Sequence, residues 1–151
     1  MQNKLHFALT GKTAAELIYE RADSEKPSMG LTTWKDAPEG KILKRDIGIA
    51  KNYLNEKEIK NLNNLVNLFL DIAENNAERN IPMYMNDWKN EVENALKVFH
   101  YEVLEGKGKI SHKQAVNKAE SEYEKYKVIQ DKNYISDFDK LLNETKAIEN
   151  K

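Results

Sequence analysis

The sequence contains no cysteine, only three prolines and six glycines, and no long hydrophobic run. Without cysteine, the chain has no disulfide, no thiol nucleophile and no thiolate metal ligand. No stretch approaches the ~20 apolar residues of a membrane-spanning helix, and the first residues lack the apolar core of a signal peptide. We therefore expect a cytoplasmic protein that does not enter a membrane.

An excess of charge of either sign is also missing. The chain carries 24 basic and 25 acidic residues, a formal net charge of −1. Nucleic-acid binding depends heavily on phosphate neutralisation and usually leaves a basic face. The densest basic group contains Lys41, Lys44, Arg45 and Lys51, and acidic residues lie among them. Direct nucleic-acid binding through Lys41, Lys44 and Arg45 therefore ranks last among the functions considered.

One segment, at about residues 55–79, dominates the hydrophobic pattern. Its apolar residues recur at helical spacing and cover an arc of roughly 200°, about twice the stripe of a helix that faces one core. Such a helix is typical of the middle of a bundle, in contact with two or more partners. The length of 151 residues suits one domain. We predict a mainly α fold, a single-domain helical bundle over residues 1–151 around this central helix.

Further helices are predicted around this segment. The patterns favour helices over residues 2–9 and 13–24, from Asn86, from Ser111 and from Ser136. Capping boxes are predicted for Thr13 with Glu16 and for Ser111 with Gln114.

Residues 28–48 lack helical periodicity. They predict either a short extended or hairpin segment or a long ordered loop, with Asp46 as a candidate cap for a short helix that follows. A connection this long is uncommon in a compact domain unless it has a function.

Two tempting motifs do not hold. Gly11-Lys12-Thr13 matches the end of a phosphate-binding loop, but the first glycine of that motif would stand where the chain has His6. The three histidines, His6, His100 and His112, show no metal-binding helical spacing. We expect neither a metal ion nor another cofactor.

Polar residues of the first third are the candidate catalytic group. His6 could fold back towards Glu16, Arg21 and Asp23, and a histidine beside carboxylates can transfer protons. Such groups more often form an ion-pair network that fixes helix register. Trp34 has two interpretations as well: it covers a pocket, or it anchors its loop in the core.

Four strings carry a family resemblance. They read NKLHFALTGKTAAELIYERAD, MGLTTWKDAPEGKILKRDIGIAKNYLNEKEI, IPMYMNDW and EYEKYKVIQDKNYISDFDKLL. Together they resemble the C-terminal half of the virulence protein RhuM family of bacteria, over about Asn3 to Leu141. The residues that match the family pattern are His6, Gly11, Thr13, Ala14, Ala15, Glu16, Arg21, Asp23, Gly30, Trp34, Lys51, Asn52, Tyr53, Pro82 and Trp88.

The resemblance implies a role without naming a reaction. Full-length relatives place a winged-helix-like DNA-binding region ahead of this one, so the chain is expected to be the C-terminal domain of a longer protein. The first hypothesis is an interaction or oligomerisation domain, a homodimer or a partner of another protein, with DNA contacted only through the other region. Trp34, Lys51, Asn52 and Tyr53 are its candidate ligand- or partner-binding residues. The alternative is an enzyme or toxin-like effector with a polar site built from residues 6–51.

Overall fold

The computed structural model describes residues 2–134 and 137–150, and this part of the chain is built from α-helices without a strand. The α-helices are α1 (Gln2–Thr10), α2 (Ala14–Arg21), α3 (Glu56–Glu78), α4 (Met85–Val98), α5 (His112–Asn133) and α6 (Asp137–Glu149). Short 3-10 helices span Pro27–Gly30 and Ala50–Tyr53. The predicted mainly α fold is confirmed.

Side-chain caps define where the helices begin. The capping boxes of Thr13 with Glu16 and of Ser111 with Gln114 are both present, and Asn55 with Glu58 opens α3 in the same way. These caps satisfy backbone N–H groups that the first helical turn leaves free. The predicted cap at Ser136 lies outside the described residues.

The N-cap of helix α4 is Tyr84, two residues before Asn86, so the predicted cap was wrong. The Asp87 carboxylate accepts the N–H of Tyr84 at 3.0 Å. Sequence alone favoured Asn86 because asparagine is a preferred N-cap residue. The acidic side chain at the third helical position performs the capping instead.

Residues 28–48 form an ordered loop, and the hairpin alternative is wrong. Helix α2 ends at Arg21, and the chain then turns through Ser28, Met29 and Gly30, whose φ angles are 53°, 45° and 89°. Three consecutive residues with positive φ form a tight turn; the backbone extends again at Leu31 (φ −76°, ψ 141°), but no residue of 28–48 belongs to a strand. Met29 is fully buried in this turn, so its burial offsets the conformational cost.

The apolar core has two main parts and a small third one. The loop cluster joins α2, the loop and α5; its buried members are Ile18, Ala22, Met29, Leu31, Ile42, Ile47, Ala50, Tyr53, Ala115, Ala119 and Tyr123. The α3–α4 cluster contains Leu65, Phe69, Val92 and Leu96, with partly buried α1 residues packed against it. Leu17, Leu54 and Leu62 form the third part, which shares its α1 neighbours Leu5 and Leu9 with the α3–α4 cluster.

Helix α3 has the predicted extent, but its apolar arc is only partly covered. Leu62, Leu65 and Phe69 are buried, whereas Val66 and Leu70 remain 39% and 60% exposed. Most of the core around the candidate site therefore forms against α5 instead of α3. None of the helices that the structure describes combines the length and the hydrophobicity needed to cross a bilayer.

Candidate functional site

The loop between α2 and α3 is held along its length by polar side chains of α5. The ammonium of Lys118 donates to the carbonyl of Ala22, and the Glu122 carboxylate accepts the Ser24 N–H at 2.9 Å. That N–H donation holds the pKa of Glu122 below its usual value. The loop is thus fixed to α5 through its backbone near the end of α2.

Arg21 links the end of α2 to the beginning of α3. Its guanidinium makes a two-point pair with Glu58, at 2.7 and 2.9 Å, and donates to the carbonyl of Tyr53 at 3.0 Å. Bidentate pairs of this type fix geometry because both groups are planar. The contacts of Arg21 are those of a structural brace.

Glu16 is occupied by backbone donors. One carboxylate oxygen accepts the N–H of Thr13 in the capping box at 3.3 Å, and the other accepts the N–H of Lys109 at 2.8 Å. Gly108 passes so close that a Cβ on it would lie 2.6 Å from the Glu16 carboxylate. Glu16 therefore fixes the segment before α5 against α2.

His6 and Asp23 lie in different local settings. His6 is buried in α1, 3% exposed. The Asp23 carboxylate accepts the N–H of Glu25 at 3.0 Å and shapes the turn that follows α2. Because Glu16, Arg21 and Asp23 each make separate contacts, a catalytic grouping of these residues with His6 stays a prediction.

Trp34 anchors the loop and also lines a shallow groove. Its indole N–H donates to the carbonyl of Gly40 at 2.8 Å, and its ring packs against the loop cluster. The same ring, with Tyr126 and Tyr134, borders a cavity of about 210 Å³. The indole N–H is already bound, so Trp34 offers this groove its aromatic face, while Ser28, Glu39 and Asn133 add polar groups to the lining.

The three neighbouring candidates Lys51, Asn52 and Tyr53 divide into one exposed and two structural residues. Lys51 is exposed to solvent. The side-chain amide of Asn52 donates to the carbonyl of Asp46 at 3.0 Å. The hydroxyl of the buried Tyr53 donates to the carbonyl of Ile47 at 2.6 Å. Burial raises the pKa of the Tyr53 phenol. Partner binding by these residues stays a prediction.

Each of the three candidate nucleic-acid-binding residues is paired with a carboxylate. Lys41 contacts Asp131 at 2.7 Å, Lys44 contacts Glu120 at 3.7 Å, and Arg45 contacts Asp36 at 2.9 Å. The hydrogen bond that Lys41 donates to Asp131 also raises the pKa of Lys41. Intramolecular pairing reduces the charge that these side chains offer to a phosphate backbone, because a binding phosphate would have to compete with the carboxylates.

A larger cavity lies away from the loop. It has a volume of about 940 Å³ between the α1–α2 turn and residues 102–109, and its charged lining residues are Lys12, Glu16, Glu102, Glu105, Lys107 and Lys109. Both signs of charge alternate around it, so its charged residues do not favour a ligand of one sign. Within residues 2–134 and 137–150, no group of three or more histidine and carboxylate side chains has the arrangement of a metal site.

A comparison with known protein families shows to which family the chain belongs. The family model described as "Virulence protein RhuM family" matches residues 1–135. The chain belongs to this family. The RhuM match ends before Asp137–Glu149, so α6 lies beyond it, as does the last part of the resemblance expected up to Leu141. No curated protein and no solved structure matches the chain.

The RhuM-pattern residues of the first third are largely architectural in this structure. Gly30 shows why: a Cβ there would lie 2.0 Å from the carbonyl oxygen of Arg21, and its φ of 89° favours glycine. Thr13 and Glu16 cap α2, and Arg21 joins it to α3. In this structure, Thr13, Glu16, Arg21 and Gly30 therefore have roles in the fold.

Sequence reasoning missed two residues that organise the loop. Asp46 is 2% exposed and accepts the N–H groups of Leu43 and Lys35 at 2.8 and 3.3 Å; it does not cap the following helix as predicted. The side-chain amide of Gln130 accepts the N–H of Ile42 at 2.7 Å and donates to the carbonyl of Ile42 at 2.9 Å. Asp46 was considered only as a helix cap and not as a loop-organising residue, whereas nothing in the sequence around Gln130 distinguishes it from an exposed glutamine.

Proposed function

We propose that this RhuM-family chain is an interaction and self-association domain that functions as a homodimer. In longer RhuM-like proteins, a separate region would contact DNA, and this domain would bring two copies together. The proposal rests chiefly on one contrast: the polar side chains of Glu16, Arg21 and Asp23 are occupied by contacts within the chain, while large apolar side chains on the helices face solvent.

The exposed apolar side chains concentrate on three helices and their ends. They include Val66 and Leu70 of α3, Tyr84, Met85, Val98 and Phe99 at α4, and Phe138, Leu141, Leu142 and Ile148 of α6. Soluble monomers rarely expose contiguous apolar patches of more than a few hundred Å². Association would remove this area from water, which is the main favourable term in most protein interfaces.

Analytical ultracentrifugation of the full chain tests the proposal directly. Sedimentation equilibrium between about 1 and 200 µM should show a reversible monomer–dimer equilibrium, because dimerisation depends on protein concentration. A single monomeric species over the whole range would contradict the homodimer.

Nucleic-acid binding has a separate test. A gel shift with duplex DNA, repeated at about 50 and 200 mM salt, should show no specific complex of this domain, because its basic loop residues are paired with acids. A salt-sensitive complex that is lost in the Lys44→Ala variant would contradict the assignment of DNA contact to another region.

A further inference from the structure

An apolar groove lies between α3 and α4. Its lining residues are Leu5, Val66, Phe69, Leu70, Ala73, Met85 and Trp88, and its volume is about 350 Å³. Leu70 and Met85 are 60% and 78% exposed at its edges. A groove with almost no polar atoms on its walls is suited to apolar side chains presented by another helix.

Helix α6 presents such side chains and lacks a cover of its own. Phe138, Leu141, Leu142 and Ile148 are 66%, 59%, 42% and 73% exposed. At ~100° per residue they fall within an arc of about 120°, one face of the helix. An isolated helix of 13 residues is marginal in water, because most helical stability in proteins comes from packing an apolar face.

The apolar face of α6 is comparable in length to the groove. Leu141 and Leu142 follow Phe138 at three- and four-residue intervals, and Ile148 lies two turns after Leu141 on the same face, which is the arrangement of a helix bound in a groove. The groove residues Val66 to Ala73 extend over two turns of α3, about 11 Å, which equals the rise from Leu141 to Ile148, and the whole apolar face from Phe138 to Ile148 is about 15 Å long.

The charges beside the two apolar surfaces are complementary. On α6, Glu144 and Lys146 each lie about 40° outside opposite edges of the apolar arc. On the groove, the exposed Glu74 follows Ala73 on α3, and the exposed Lys89 stands one turn after Met85 on α4. A helix seated in the groove can therefore pair Lys146 with Glu74 on one side and Glu144 with Lys89 on the other.

We infer that the groove receives α6 of a second copy of this chain, and that two copies exchange these helices reciprocally. This inference rests on the proposed self-association and adds the surface that performs it. Within one copy, Lys140 of α6 contacts Glu39 of the loop at 3.8 Å, and α6 leaves its own groove uncovered. Reciprocal exchange gives a closed two-fold dimer, since each surface meets its complement.

Lysine substitutions on each surface test the pairing by sedimentation equilibrium. Leu70→Lys in the groove and Leu141→Lys on α6 should each raise the dimer dissociation constant at least about tenfold, because each places a charge in the apolar contact. Val128→Lys is the matched control: Val128 is 70% exposed on α5, outside both surfaces, and its variant should dimerise like the wild type. Circular dichroism confirms that each variant retains its helices.

The outcomes separate this inference from the proposed function. If the wild type dimerises and both Leu70→Lys and Leu141→Lys dimerise equally well, docking of α6 in the groove is contradicted, while the proposed self-association is not. A wild-type chain that stays monomeric overturns both. Dissociation caused equally by Val128→Lys also overturns the groove, because the interface would then lie elsewhere.

Charge reversal tests the predicted orientation. Glu144→Lys and Lys89→Glu should each weaken the dimer severalfold, and the double variant should recover most of the loss, because the pair is then restored with reversed signs. Additive losses in the double variant would overturn the orientation.

Cross-linking between introduced cysteines identifies which residues of the two copies are close together. The sequence contains no cysteine of its own, so only the introduced thiols react. Chains carrying Leu70→Cys are mixed with chains carrying Leu141→Cys and treated with a short bis-maleimide. The expected main product is the mixed dimer, identified by mass. A main product joining two Leu141→Cys chains would show that α6 pairs with α6 and would overturn the inference.

Discussion

The guanidinium of Arg21 donates to both carboxylate oxygens of Glu58, at 2.7 and 2.9 Å. The same carboxylate accepts the N–H of Asn55 and so completes the cap of α3. One carboxylate thus serves the start of a helix and the end of another. The side chains are only 28% and 14% exposed, so water screens the pair weakly. Four predictions concern this pair and the loop beside it.

Removing Arg21 should destabilise the fold. Arg21→Ala leaves the carboxylate of Glu58 partly buried without its main partner, and we expect a loss of about 2–3 kcal/mol in the free energy of unfolding. Asp36→Ala is the control, because its pair with Arg45 is about half exposed on both sides and should contribute only about 0–1 kcal/mol. Urea unfolding measures both. Equal losses would show that burial does not distinguish the two pairs.

The same pair should make stability depend on pH. The hydrogen bond from Arg21 holds the pKa of Glu58 below its usual value of 4.5. A lowered folded-state pKa gives stabilisation that is complete above the unfolded value and is lost as the pH falls through the folded value.

The measurement compares the wild type with Glu58→Gln. The difference in unfolding free energy between them should be largest near pH 7 and shrink from about pH 5 downward. A difference that stays constant down to about pH 2.5 would show that ionisation of Glu58 does not contribute.

Gly30 should tolerate no side chain. Gly30→Ala would bring a Cβ to 2.0 Å from the Arg21 carbonyl oxygen at a φ of 89°, whereas Gly11→Ala meets nothing within 4 Å at a φ of 75°. We expect Gly11→Ala to cost about 1 kcal/mol and Gly30→Ala at least about 3 kcal/mol. Thermal unfolding of the two variants isolates the steric part, and similar losses would rule out the close approach.

The Gln130 amide should be required for the loop. Gln130→Glu keeps the oxygen that accepts the Ile42 N–H but replaces the donor that binds the Ile42 carbonyl. We expect a loss of about 1–3 kcal/mol, because the new carboxylate faces a carbonyl oxygen.

Gln114→Glu on the same helix is the control for Gln130→Glu. Gln114 occupies the third position of α5, where an acidic side chain still completes the capping box and interacts favourably with the helix dipole. Its unfolding free energy should be unchanged or slightly higher. Destabilisation of both variants would mean that α5 simply disfavours added negative charge.

Local chemistry predicted the starts of α2 and α5, because a capping box is encoded within four residues. Thr13 with Glu16 and Ser111 with Gln114 were identifiable for that reason, and the long apolar period revealed α3. Helix α2 was predicted to reach residue 24 but ends at Arg21, where Ala22 takes an extended conformation (φ −69°, ψ 110°), and no glycine or proline at that point marks the end in the sequence.

The candidate site was less predictable because its contacts cross long stretches of chain. Arg21 and Glu58 are 37 residues apart, and Glu16 and Lys109 are 93 apart. Composition and spacing identified polar residues but not their partners. The same limit applies to α3, where helical periodicity could not show which part of the apolar arc other helices cover.

The bond between Gln130 and Ile42 also constrains how the protein is made. The two residues are separated by 88 positions, and a ribosome adds roughly 5–20 residues per second. The loop around Ile42 therefore waits about 4–18 s for the helix that secures it. During synthesis, its apolar residues are exposed to chaperones and proteases until nearly the whole family-matched region has emerged.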